Sequence, residues 1–480
     1  MQPQNPYPHK IGLFGIGLDT YWEQFEGLEE RLLGYVERVA AILTEVDRGT
    51  EIVNVGLVDT VDRAFAAGHH FRREEVNLIF LYVTTYALSS TVLPVVRLAG
   101  VPVVVLNLAP EPAMDYEYIN HLNDRTRMTG EWLAHCSACP VPEIANVLRR
   151  AGIPFRELTG ILDDPTTHRE LSAWTTAARV AHELAHLRTG LMGHYYNGML
   201  DIYTDTTQLL ATFGGHFEIV EVDELSALRR DVTEAAVAER IDLFREKFDL
   251  QPDCPEIELR RAARTSVALD RMVDTYRLGA LAYYYKGSGV AENEDTLSSI
   301  IVGTSLLTAR HVPVAGEYEI KNVLAMKILD LLEAGGSFTE FYGVDYNDEV
   351  ILMGHDGPGH LRIAEGRTKI KPLQVYHGKV GRGLSVEMSV RHGPVTLLSV
   401  VQPGDGSVFL LVAEGESVPG SILEIGNTNS RYRFGLGVRE FLQAWNRHGP
   451  AHHCAVGIGH RSNDLRKLGS LLGIEVVVIG

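Results

Sequence analysis

Two carboxylates and an imidazole stand at the ends of elements in the stretch from Ala315 to Gly357: Glu317, Glu340 and His355. Glu317 stands just before an apolar run at helical spacing that begins near Asn322. Glu340 follows the exit of that helix at Gly335 and Gly336, and His355 closes a strand-like segment, Val350 to Gly354. Carboxylates and imidazoles at the ends of elements are the donors of a divalent-cation site with open positions. A carboxylate that binds through one oxygen keeps the other for proton transfer, so metal-assisted isomerisation or hydrolysis is the chemistry on offer. The doublet His452-His453 adds further imidazole donors. Mixed oxygen and nitrogen donors suit Mn²⁺ or a related ion better than Ca²⁺. Glu317 can also be read as a carboxylate at a helix N-terminus, which is compatible with a ligand role.

These residues must be positioned by a large chain. At 480 residues it exceeds one ordinary core, so two or three domains are expected. Its apolar share of 45% and mean hydropathy of −0.01 are those of a soluble globular protein. A net charge of −18 argues against nucleic acid and anionic membranes as partners, since both select basic surfaces. No apolar run is long enough to span a bilayer, and Met1 to Lys10 is polar rather than signal-like. Four cysteines do not make a disulfide framework, so a cytoplasmic protein is expected. Cys136 and Cys139 have C-x-x-C spacing without a second pair and read as unligated thiols in a turn before Pro140.

The opening third alternates apolar strands with helical patterns. Ile11 to Gly17, Ile52 to Val58, Val76 to Val83 and Val101 to Leu108 read as strands, with helical spacing over Tyr21 to Val46 and Ser89 to Ala99. Continuous apolar strands between helices imply a parallel, doubly wound sheet. Ligands of such sheets sit beyond the carboxyl ends of the strands. Those ends offer Asp19, Tyr21 and Thr85 as sugar-facing residues, with loop capping the alternative for each. Gly15-Ile16-Gly17 lacks the third glycine of a dinucleotide fingerprint.

A second α/β region follows the helical stretch His168 to Leu187. Helical spacing is read over Asp205 to Phe213, Thr233 to Phe248, Ile257 to Tyr284 and Asn293 to Ala309, with a strand at Phe217 to Val222. His194, in Gly193-His194-Tyr195-Tyr196, is a pocket candidate with a structural role as the alternative. After Gly336 short β segments dominate: Leu361 to Ala364, Leu373 to Tyr376, Leu384 to Val390, Val395 to Val401 and Val408 to Val412. Hairpin turns are expected at Arg391 to Gly393 and Gly404 to Gly406. A barrel or sandwich is the expected form. Val438 to Arg447 and Asp464 to Leu472 read as helices, and Ile474 to Ile479 as the last strand. The expected fold is thus two doubly wound α/β domains, 1–170 and 171–334, followed by a β-rich, barrel-like domain, 335–480.

Four motifs in order resemble the L-arabinose isomerase family, within the wider L-fucose/L-arabinose isomerase group. A-G-E-Y-E-I-K (315 to 321) is similar to the family's A-G-E-G-D-W-K, S-F-T-E (337 to 340) to S-F-M-E, M-G-H (353 to 355) to G-S-H, and A-H-H (451 to 453) to A-H-H. Lys371 to Val375 and Gly381 to Gly383 resemble the segment beyond the metal histidine. The resemblance implies Glu317, Glu340, His355 and His453 as ligands of Mn²⁺ or another divalent ion. It also implies His452 as a substrate contact and the two glutamates as the catalytic pair. The implied reaction interconverts an aldose and a ketose through a cis-enediol, in a homo-oligomer whose site lies near a subunit interface. An epimerase on the same scaffold and a non-catalytic sugar-binding or regulatory protein are the alternatives. The chain departs from the family where His121-Leu122-Asn123 leads to Arg127 at a histidine position, and where the early loop reads Leu18-Asp19-Thr20-Tyr21. Arg127 is compatible with an acidic sugar or with a surface ion pair, and the substrate follows from such loops.

Overall fold

The computed structural model describes residues 7–47, 49–373 and 382–480. The chain forms two compact units, one ending at His182 and one running from Glu183 to Gly480.

In the first unit Lys10–Ile16 (β1), Glu51–Val58 (β2), Leu78–Tyr82 (β3), Val103–Ala109 (β4) and Phe155–Ile161 (β5) form a parallel sheet of order β2-β1-β3-β4-β5. All five residues of β3 are buried, as a central strand covered on both faces requires. The helix Leu28–Val46 buries Leu28, Leu32, Val36, Val39, Ile42 and Leu43, one face at helical spacing. It starts later than the periodicity from Tyr21 suggests. Asp19–Tyr21 is a separate 3₁₀ turn, and Gly27, at φ 78°, breaks the path before Leu28.

The second unit opens on another parallel sheet, made from Arg188–Gly193 (β6), His216–Val220 (β7), Ala280–Tyr284 and Val314–Ala315. With the short strand Asp249–Leu250 counted as β8, the last two are β9 and β10, and the order is β10-β9-β6-β7. Strand β9 corrects the long helix expected over Ile257 to Tyr284. That helix is Glu256–Tyr276, ended by Arg277 in the left-handed region at φ 52°. The next apolar run, A-L-A-Y-Y, is buried at every position, and such a run fits a buried strand as well as a helix. Asn293 to Ala309 is likewise two helices, Ala291–Leu297 and Ile301–Ala309.

The helix Ile320–Leu331 is buried at every position from Ile320 to Asp330, and so has no polar face. Its charged residues are paired: Lys321 Nζ donates to the Asp201 carbonyl (2.8 Å), and Lys327 Nζ lies 3.2 Å from Asp330 Oδ2.

Beyond it the strands are Ser337–Asp345 (β11), Val350–His355 (β12), Lys369–Pro372 (β13), Leu384–Glu387 (β14), Gly393–Val401 (β15), Phe409–Val418 (β16), Thr428–Phe434 (β17), His453–Ile458 (β18) and Glu475–Ile479 (β19). The ring β15-β18-β11-β12-β17-β16 closes through the β15–β16 pair into an antiparallel barrel, with β19 added parallel to β16. Closure removes the exposed edges an open sheet would present. Its core includes Ile351, Met353, Leu397, Leu411, Tyr432, Phe441 and Trp445. The turn at Gly404 to Gly406 joins the hairpin β15–β16 as expected. The turn at Arg391 to Gly393 does not make a hairpin, because β14 pairs with β13 in a separate sheet of order β14-β13-β8. Leu361–Ile363 is a 3₁₀ turn rather than a strand. Of the expected segment Leu373 to Tyr376 only Leu373 is described; Gln374, Val375 and Gly381 of the supporting motifs lie outside the described residues. The architecture is therefore parallel-sheet α/β followed by a β-barrel.

Candidate metal centre

Three neighbouring barrel strands set the centre by register. Glu340 on β11 lies opposite His453 on β18 and opposite Gly354 on β12, the residue before His355. Gly354 is required there, since a Cβ would stand 2.1 Å from the Thr428 carbonyl oxygen of β17. The glycine of M-G-H thus lets β17 close against β12 while His355 ends the strand.

Glu317 arrives from the α/β side of the same unit, just after β10. Glu317 and Tyr318 both adopt the left-handed region, at φ 57° and 63°. This costs about 1–2 kcal/mol per non-glycine residue, and such strain gathers at functional sites. The turn is pinned by Tyr318 N donating to the Tyr283 carbonyl of β9 (3.0 Å) and Glu319 N donating to the Gly316 carbonyl (3.0 Å). Glu319, not Glu317, occupies the N-cap of the buried helix.

The side chains converge. His453 Nε2 lies 3.3 Å from Glu317 Oε2 and 3.2 Å from His355 Nε2. His355 Nε2 lies 3.9 Å from Glu317 Oε1, and His452 Nε2 lies 3.9 Å from both Glu317 Oε2 and Glu340 Oε2. Among the described residues two sets could hold an ion, Glu317 with His355 and His453, and Glu340 with His452 and His453. Phe338, fully buried on β11, backs two of the rings, with centroids 4.3 Å from His355 and 4.5 Å from His453.

Protonation follows from the outer nitrogens. His355 Nδ1 is 2.5 Å from the Asp356 carbonyl, which can only accept, so Nδ1 carries the proton and Nε2 offers a lone pair to the centre. His452 Nδ1 is 2.6 Å from Asp201 Oδ2, which also accepts the His452 backbone N–H at 2.9 Å. That carboxylate presents Nε2 inward too. Burial, followed by the neighbouring His452, holds His453 well below the ordinary imidazole value, so it stays neutral and able to donate. Burial pushes the Glu319 carboxyl up to about 7, against the pull of the Lys321 ammonium. Imidazoles and carboxylates gathered around one point are a donor set that fits a divalent cation.

The cleft beside them has a volume of about 740 Å³, its open mouth included. Its wall carries Tyr196, Tyr283, Tyr284, Tyr285 and Tyr342 beside Glu317, Glu340, His355 and Asp356. Burial, then Tyr196 and Glu317, pushes Tyr284 up to about 12. Burial, then Asp356, Glu340 and Glu317, raises Tyr342 further, so both phenols remain protonated at neutral pH.

The centre therefore assembles Glu317, Glu340, His355, His452 and His453. His194 is exposed beside the tyrosine wall, its ring edge-on to Tyr284 at 5.3 Å and its Nδ1 2.9 Å from the Tyr195 carbonyl. Asp19, Tyr21, Thr85 and Arg127 belong to the first unit. Asp19 Oδ1 accepts the Thr20 backbone N–H at 2.8 Å, and Tyr21 packs edge-on against Phe25. Thr85 is fully buried and donates to the Leu133 carbonyl at 2.8 Å. Arg127 is exposed near the start of the helix Arg125–Leu133, its backbone N–H bonded to Asp124. Sequence reasoning missed Asp201, Glu319, Tyr284 and Tyr342. Only Glu319 carried a signal, as a charge two residues after a proposed ligand. Cys136 is buried and Cys139 exposed, both free. Among the described residues no helix is long and apolar enough to cross a membrane.

An α/β protein with a barrel and a carboxylate–imidazole centre is the class that fold and site define. No protein-family profile matches the chain. It is similar to L-arabinose isomerase of Nocardioides sp., 24% identical over 357 residues that cover 70% of this chain and 68% of that protein. It is also similar to L-arabinose isomerase of Geobacillus thermodenitrificans, 23% identical over 341 residues, 69% of this chain and 68% of that protein. A solute-binding protein of an ABC transporter from Burkholderia multivorans matches at 13% identity over 64% of this chain and 97% of that one, with a TM-score of 0.16. A TM-score of that size supports no inference about fold or function.

Proposed function

We propose that the protein is a sugar isomerase of the aldose–ketose type, dependent on Mn²⁺ or a related divalent ion held by Glu317, Glu340, His355 and His453. The observation that carries the reading is the convergence of two glutamates and three imidazoles beside a tyrosine-walled cleft that Glu317, Glu340 and His355 line. The L-arabinose isomerases among its relatives support the reaction class. A bound cation would supply electrophilic stabilisation of the oxyanion that develops beside the reacting C–H bond.

The remaining tasks fall to side chains. Glu317 and Glu340 share the roles of base and acid: one proton leaves C2 and one reaches O1, giving a cis-enediol, and reprotonation at C1 with loss of the O2 proton gives the ketose. His452, fixed by Asp201, holds Nε2 within 3.9 Å of both carboxylates, where it can relay a hydroxyl proton. The tyrosine rings offer flat apolar faces to the C–H surface of a sugar and exclude water. Three carboxylates and no lysine or arginine stand among the described lining residues, which favours a neutral sugar over a uronate.

Metal analysis followed by proton–deuterium exchange at C2 over pentoses, hexoses and uronates tests the proposal. Exchange on a neutral sugar is the expected result. Bound metal without exchange on any sugar would overturn it in favour of a sugar-binding protein, and exchange with inversion at C2 would make it an epimerase. We also propose a cytoplasmic homo-oligomer with the centre near a subunit interface; a monomeric mass by light scattering would refute that assembly.

A further inference from the structure

The three imidazoles of the centre differ in what meets their outer nitrogen. His355 Nδ1 has the Asp356 carbonyl and His452 Nδ1 has Asp201, both at hydrogen-bonding distance. His453 Nδ1, on the most deeply buried of the three rings, closes no hydrogen bond. What faces it, 3.7 Å away, is Glu319 Oε2.

Glu319 is itself anomalous. It is fully buried, and neither carboxylate oxygen closes a hydrogen bond. A buried carboxylate in that condition is costly, and its persistence calls for a partner. Lys321 lies 3.7 Å from Oε1, but its ammonium donates to the Asp201 carbonyl at 2.8 Å and to Thr204 Oγ1 at 3.2 Å. Two orphaned polar groups thus face each other behind the centre.

We propose that Glu319 is the positioning residue for His453, accepting its Nδ1 proton so that Nε2 faces the centre as a lone pair. The inference rests on the metal reading above. Without a cation, the His453–His355 contact of 3.2 Å between Nε2 atoms is satisfied by a proton on one of them, and His355 Nε2 is already a lone pair. A ligand role for His453 Nε2 would require that proton to leave Nε2 for Nδ1. His453 must then carry its hydrogen on Nδ1, and a shift of about 1 Å brings Glu319 to hydrogen-bonding distance. A carboxylate behind a metal-bound imidazole fixes the tautomer and strengthens the donor.

Calorimetric titration with Mn²⁺ of the purified full chain, as wild type, Glu319→Gln and Glu319→Asp, tests this, with circular dichroism confirming the fold. Glutamine keeps an acceptor oxygen in place but removes the charge; aspartate keeps the charge but withdraws it by one methylene. Positioning predicts that Asp weakens Mn²⁺ binding on the order of 10–100-fold and Gln by less. A counter-ion for Lys321 alone predicts the reverse order, and aspartate binding as tightly as wild type overturns the proposal. Wild-type protein that binds no Mn²⁺ overturns the metal reading and this inference with it. Binding by wild type that neither substitution weakens overturns this inference alone.

Discussion

Phe338→Leu probes how the centre is held. The Phe338 ring lies against both His355 and His453, at centroid distances of 4.3 and 4.5 Å, and it is fully buried. It also reaches the turn that carries Glu317, since a Cβ on Gly316 would meet Phe338 Cε1 at 3.4 Å. One side chain therefore backs two proposed ligands and the turn that carries a third. Leucine retains most of the apolar volume, and such a swap by itself costs under about 1.5 kcal/mol. What leucine lacks is the flat face, and two ring contacts at about 0.5–1.5 kcal/mol each sum to roughly 1–3 kcal/mol. Phe338→Ala adds a cavity and is expected to cost about 3–5 kcal/mol. Urea unfolding of the metal-free protein measures the stability term. Mn²⁺ titration of the same samples measures the geometric one, expected to weaken by about tenfold for leucine as the two imidazoles lose their common support. Leucine that leaves both unfolding midpoint and Mn²⁺ affinity unaltered would refute the reasoning and put ring orientation in the hydrogen bonds alone.

Glu317→Gln and Glu340→Gln should each slow C2 proton exchange by about 10²–10⁴-fold, the usual contribution of a positioned proton-transfer group; full exchange in either variant removes that residue from the reaction. Asp201→Ala should release His452 and reduce turnover while sparing Mn²⁺ binding through the set Glu317, His355 and His453; an unchanged turnover number would show that His452 needs no orientation. Asp330→Asn tests a buried charge distant in role from catalysis. Burial alone would raise that carboxyl, but the His311 hydrogen bond and the Lys327 ammonium hold it below the ordinary aspartate value of 3.8. A depressed value means stability present above the ordinary range and lost as pH falls through the folded value. The variant should therefore be about 3–5 kcal/mol less stable at neutral pH, with the gap closing in acid. A gap of equal size at neutral and acid pH would contradict the assignment.

Much of the layout was legible because periodicity and burial coincide. Strands such as Leu78–Tyr82 are apolar throughout, and the helix Val438–Arg447 appears at the expected residues. The failures occur where the same composition supports two conformations. Ala280–Tyr284 continued a helical pattern, and only pairing with β6 and β10 makes it a strand. Leu384–Glu387 looked like one arm of a hairpin at Arg391 to Gly393, but its partner is β13. Strand partners are long-range choices that local spacing does not encode.

The centre divides along the same line. Residue types and motif order by themselves determined that Glu317, Glu340, His355 and His453 were donors worth bringing together, because carboxylate and imidazole chemistry is carried by the side chain. The tertiary structure decided what stands behind them: Asp201 at His452, the Asp356 carbonyl at His355, Phe338 between two rings, and Glu319 facing His453. It also decided the tyrosine wall, since Tyr284 reaches the cleft only as part of a strand. The physical reason is that a proton's position on an imidazole, or the cost of a buried carboxylate, depends on neighbours supplied by distant segments through strand register and packing.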